Sequence, residues 1–212
     1  MKRVLWSLAA LILVTSALAG AATGYFFWRF SAHVPEADYP APSNATEARL
    51  QDLDYLRKLP EVDYSFSSEE EAAFTAHIDA LEKQVETLSE AQFLMGLAAA
   101  PAISENGHTG ASRSFLFGQM NALPVRFHWF AEGLFVVRAH EEYADLIGMR
   151  VDLLDGAAPD QIVDKLDPYL GSNKAFLRHN SPSFMAIPAA LHAAGLIADA
   201  GAVTLELVDE DG

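Results

Sequence analysis

His108 is the residue whose neighbours best suit it to handling a proton. It lies in the stretch Ile103 to Arg113, ISENGHTGASR, with Gly107 before it and Thr109 and Gly110 after it. Glycines at those places let the backbone turn sharply and carry a side chain into the open. Histidine as a residue type titrates near neutrality, so one held in such a turn suits acid–base chemistry. The plain alternative is a turn histidine that only hydrogen-bonds the nearby backbone. Metal chemistry is a weaker fit. The seven histidines (His33, His77, His108, His128, His140, His179 and His192) include no HExxH and no pair four residues apart, and His140-Glu141-Glu142 lacks a second histidine. No metal and no cofactor are therefore expected. There is no cysteine, which removes thiol nucleophiles, disulfides and cysteine-ligated metal.

The charge narrows the partners. Lys2, Arg3 and Arg29 are three of 14 basic residues, whereas all 29 acidic residues follow Arg29. That surface repels phosphate backbones and anionic headgroups, so no nucleic acid is expected as a partner. Hydrophobic residues are 51% of the 212, enough for a packed core.

Several elements must position His108. Residues 1–30 read as a signal-anchor or signal peptide. Lys2 and Arg3 precede an uncharged run from Val4 to Trp28. As a helix that run would span about 37 Å, against a hydrocarbon core of about 30 Å. The basic end predicts that the body is exported, to a periplasmic or extracellular face, with the membrane as a partner through this helix. Ala17-Leu18-Ala19 offers a cleavage site, while Tyr25, Phe26, Phe27 and Trp28 form an interfacial aromatic belt that favours an uncleaved anchor. Residues 31–44 form a linker with Pro35, Pro40 and Pro42. Asn44-Ala45-Thr46 fits a glycosylation sequon, and Asn44 also reads as an N-cap with Glu47 three residues on.

A helical subdomain is expected over residues 45–106. Its first helix runs to about Lys58 on Leu50, Leu53 and Leu56, and ends before Pro60. The second opens on a Ser68/Glu71 capping box and buries Phe74, Ile78, Leu81, Val85 and Leu88. The third opens on Ser89/Gln92, carries Phe93, Leu94 and Leu97, and is closed by Pro101 and Gly107. A β-rich module follows over residues 107–212, making the chain α+β. Leu123 to Phe130 alternates, with Val125, Phe127 and Trp129 on one face and Arg126 and His128 on the other. Leu134 to Arg138 and Met149 to Leu154 read as strands, Tyr143 to Ile147 as a helical turn. Pro159 to Leu166, Tyr169 to Arg178 and Pro188 to Leu196 read as helices, and Ala202 to Val208 as a last strand. That strand runs into Asp209-Glu210-Asp211-Gly212, a hairpin-turn signal with no second strand behind it. It predicts an unpaired strand and a chain cut short, the alternative being a frayed acidic tail.

Three pieces together resemble the N-terminal part of the tail-specific (C-terminal-processing) serine peptidases: Asp52 to Phe74, Glu105 to Gly110, and Leu123 to Gly156. The third includes GMRVDLLDG, similar to a PDZ-like hairpin, at Gly148, Arg150, Val151, Asp155 and Gly156. The resemblance implies a peptide or protein substrate and a serine nucleophile in a downstream α/β core that these residues do not include. The resemblance pairs that serine with a lysine or, in the tricorn-like branch, with a histidine and a glutamate; the tricorn-like histidine lies in a turn before the PDZ-like module and is the general base, a role that carries over to His108. PDZ-like modules bind an extended peptide along a sheet edge and hold its carboxylate on backbone amides. The resemblance places that loop at Gly133, Leu134 and Phe135, near Arg126 and Arg138; a simple hairpin turn is the alternative reading of those glycines. A non-catalytic peptide-binding module is the competing function.

Overall fold

The computed structural model describes residues 2–31, 34–110, 118 and 120–209. The tail of the turn motif at residues 111–113, His33 and the terminal Asp-Gly pair lie outside them. The chain divides into two units, Met1–Glu36 and Ala37–Gly212. The first is essentially one helix, α1 (Lys2–Phe30). Its segment Trp6–Phe30 is long and apolar enough to cross a membrane or to act as a signal. Tyr25 and Trp28 stack at 6.1 Å near its end.

The second unit is α+β. Four helices come first: α2 (Ala45–Leu56), α3 (Leu59–Val62), α4 (Ser68–Gln84) and α5 (Glu90–Ala102). Strands β1 (Val125–Phe130), β2 (Gly133–Ala139) and β3 (Arg150–Leu154) follow, with a 3-10 turn at Glu141–Leu146 between the last two. Three helices, α6 (Pro159–Leu170), α7 (Lys174–Met185) and α8 (Pro188–Ala193), precede β4 (Leu205–Val208). The sheet is antiparallel throughout, in the order β1-β2-β3-β4.

Local chemistry sets the helix starts. Asn44 accepts the Glu47 amide at 2.8 Å, and Ser89 and Gln92 cap each other's backbone, so both expected caps form. The box at α4 is Ser67/Glu70, one residue earlier than Ser68/Glu71. Both pairs have the right spacing. Phe66 is buried edge-on to Phe74 at 5.4 Å, which fixes the chain entry one residue upstream. The linker is not free along its whole length: Tyr39 donates to Asp54 at 2.5 Å and Gln51 holds the Pro40 carbonyl at 3.1 Å.

Two apolar clusters form. One joins Leu53, Phe66, Phe74, Ile78, Leu81, Val85, Phe93 and Ala100. The other lies under the sheet and joins Leu94, Met95 and Ala98 to Val125, Phe127, Leu134 and Val136 and to the apolar faces of α6–α8. Helix α5 therefore contributes to both, and it is apolar nearly all round for that reason.

Four boundaries differ from expectation. Pro60 sits in the first turn of α3, where a missing N–H costs nothing. Pro101 lies inside the last turn of α5 rather than ending it. The helix expected at Tyr169 to Arg178 is split, with α6 extending to Leu170 and stopping at Gly171. Helix α7 then runs through Pro182. Proline cannot bond the Arg178 carbonyl four residues back, but Ser181 Oγ donates to that carbonyl at 3.3 Å. Trp129 Nε1 donates to Ser181 Oγ at 3.2 Å, tying β1 to the same turn. The last strand is also not unpaired: β4 zips antiparallel onto β3, Leu154 to Leu205 and Arg150 to Val208.

Candidate functional site

His108 follows α5 directly, and its turn is anchored from both sides. Past Ala102 the chain leaves the helix through Ile103 and Ser104, and Glu105 takes a left-handed conformation at φ 48°. Asn106 organises the turn itself. Its Oδ1 accepts the His108 amide at 3.1 Å, its Nδ2 donates to Thr109 Oγ1 at 3.2 Å, and its carbonyl accepts the Thr109 amide at 2.8 Å. Thr109 is buried and donates its hydroxyl to the Asp63 carboxylate. The other oxygen of Asp63 accepts the Ser65 amide at 2.9 Å and the Ser65 hydroxyl at 2.7 Å. The segment after α3 thus grips the turn through Thr109.

That arrangement leaves the His108 side chain exposed. Among the described residues its imidazole has no hydrogen-bond partner, and no serine hydroxyl is bonded to it. It stands between two clefts. One, of about 420 Å³, is lined by Asp52, Leu56, Asp63, Leu97 and Pro101 as well as by the turn. The other, of about 290 Å³, is walled by Ala98, Tyr169, Phe176, Asn180 and Phe184. Burial pushes the Tyr169 hydroxyl up from its ordinary pKa. The His108 position is open to a group entering either cleft.

The two cleft carboxylates are tuned in opposite directions. Burial works against ionisation of Asp63, but hydrogen bonds from Ser65 and Thr109 outweigh it and hold the carboxyl below the usual range. Asp52 is raised, first by burial of its carboxyl and then by Glu90, although the residue as a whole is exposed. A depressed carboxyl stabilises the fold fully above its unfolded pKa of about 3.9 and loses that contribution as pH falls through the folded value. A raised one does the reverse, costing stability as pH climbs through its folded value. Thr109→Val removes one donor from Asp63. It shifts the acid-unfolding midpoint, followed by circular dichroism, to higher pH and costs about 1 kcal/mol at neutral pH after allowance for solvent screening.

Gly133, Leu134 and Phe135 stand elsewhere. Gly133 opens β2 at φ 146° directly after the Ala131-Glu132 turn, and a Cβ there would sit 3.2 Å from Arg150 Cδ. Leu134 is 1% exposed in the core. Its backbone lies between Trp129 of β1 and Val151 of β3, while Phe135 lies between His128 and Arg150. Both flanks of this segment are occupied, so an added peptide strand cannot pair with it. That pairing speaks for the hairpin-turn reading of these glycines and against strand addition at Leu134 and Phe135.

Among the described residues the strand with an unpaired flank on this side is β1. A groove of about 880 Å³ runs between it and α7. Leu123 N donates to the Ala186 carbonyl at 2.7 Å, closing one end. The floor is apolar, with Val125, Phe127, Pro182 and Ile187, and the rim carries Arg126, Arg138, His128, His140 and His179. Reading the sequence missed this wall because Pro182 argues against a helix there. Arg126 and Arg138 were the available signal.

Two other histidines have local roles. His77 Nε2 bonds the Gly96 carbonyl at 2.9 Å, and His192 Nδ1 the Ile197 carbonyl at 3.2 Å. Among the described residues no group of three or more metal-ligating side chains is gathered. Comparison with known proteins found no matching family model, no matching curated protein and no matching solved structure.

Proposed function

We propose that the chain is the N-terminal part of an exported, membrane-anchored serine peptidase of the tail-specific type, acting on peptide or protein substrates. In this reading His108 is the general base, a PDZ-like module spans the sheet, and a downstream core supplies the serine. As the serine Oγ bonds to the scissile carbonyl carbon, its proton passes to the His108 imidazole. That proton goes to the leaving amine as the C–N bond breaks. The observation that carries the reading is an exposed imidazole on a turn whose flanking residues are held by Asn106 and the Thr109–Asp63 bond. A base must be free to reach its partner, and here the side chain is open while the backbone that carries it is anchored. The test is hydrolysis of an unfolded protein substrate by the full-length gene product and by its His108→Ala variant. Hydrolysis that depends on His108 supports the proposal; hydrolysis unchanged by the substitution refutes the base role.

A second reading, a non-catalytic exported peptide-binding module, is favoured by the groove beside β1. That groove offers a strand edge and apolar pockets, and it needs no nucleophile. Peptide binding by a full-length product with no hydrolysis would select it.

A further inference from the structure

We infer that the groove between β1 and α7 takes an extended peptide bearing an acidic side chain, with Arg126 and Arg138 as the pair that grips its carboxylate; this rests on the peptide-binding reading of the groove. Arg126 and Arg138 face each other directly across β1 and β2. Like charges at facing positions on neighbouring strands repel and weaken the sheet. The sequence holds 29 acidic residues against 14 basic ones, so partners for arginine are plentiful. Arg49, Arg57, Arg150 and Arg178 each have a carboxylate within 3.6 Å. Arg126 and Arg138 have none among the described residues, and both are exposed on the groove rim. Glu142 lies 3.5 Å from Nδ1 of the rim residue His140.

Two guanidiniums at one strand-pair position can hold a carboxylate through forked, planar pairs of N–H donors, a geometry that lysine lacks. The rest of the groove argues for a peptide as its carrier. An edge strand presents unpaired N–H and C=O groups to an extended chain. The floor of Val125, Phe127, Pro182 and Ile187 receives apolar side chains from the same chain. Charge and shape thus select an extended segment with an Asp or Glu between apolar residues, and the net negative charge of the chain as a whole disfavours the same segment elsewhere.

The experiment measures fluorescence anisotropy with the detergent-solubilised full chain and short valine- and alanine-rich peptides. These are acetylated and amidated at their ends and differ only by a central Glu or Gln. The Glu peptide is expected to bind about tenfold or more tightly than the Gln peptide, with the gap shrinking in high salt. Arg126→Gln with Arg138→Gln is expected to abolish the gap while the melting temperature stays level or rises, since the facing charges are gone. Equal binding of both peptides by the unsubstituted chain would overturn the acidic selection and leave the peptide-binding reading standing. A third peptide, the Gln sequence with its C-terminal carboxylate left free, is measured alongside, and tight binding of that peptide alone would overturn the proposal in favour of terminal recognition. Failure of every peptide to bind would remove both readings.

Discussion

Replacing His108 with Ala in the full-length protein is expected to lower peptide hydrolysis by about a thousandfold or more while the thermal transition stays where it was. The two halves of that expectation come from the same geometry. The His108 side chain is exposed and makes no hydrogen bond among the described residues, so truncating it breaks nothing that holds the fold. The contact that shapes the turn runs from its backbone N–H to Asn106, and alanine keeps it. Proton transfer matters only as bonds change, so the loss falls on kcat with KM little altered. His108→Gln keeps size and polarity without the basicity and is expected to behave like alanine. Unaltered turnover in either variant would return His108 to the role of a turn residue.

Gly171→Ala is expected to cost at least about 3 kcal/mol and to lower the thermal midpoint by several degrees in a chain of this size. Gly171 ends α6 at φ 61° and ψ −176°, a region closed to residues with a side chain. A Cβ there would lie 2.5 Å from the Ala102 carbonyl oxygen, a backbone atom that cannot swing aside. Ala102 is the last residue of α5, immediately before the segment that carries His108. The strain would therefore appear at the candidate site as well as in the melt. Thermal denaturation together with hydrolysis measures both, and an unchanged midpoint would contradict the close approach.

What could be read beforehand was local. The Asn44 and Ser89 caps each depend on one side chain and an amide three residues away, and the alternation of Val125, Phe127 and Trp129 needs only a strand to express it. Choices between near-equal local signals required packing. Ser67 and Ser68 both have a glutamate three residues on, and burial of Phe66 against Phe74 separates them. Pro182 hid α7 because its compensation depends on Ser181 turning to the Arg178 carbonyl. The grip of Asp63 on Thr109 joins residues 46 apart in the chain and has no sequence pattern. Gly133-Leu134-Phe135 fits a carboxylate loop and a hairpin equally until the neighbours of β2 are known.

Helix α5 presents Phe93 and Ala100 to one cluster and Leu94, Met95 and Ala98 to the other. A ridge beam that bears two roofs makes the roofs fail together. Calorimetry on residues 37–212 should accordingly record one peak rather than two. Splitting the gene after residue 106 would strip the sheet of its supporting helix, and neither product is expected to remain soluble alone. Two separate peaks would mean that the beam carries only one side.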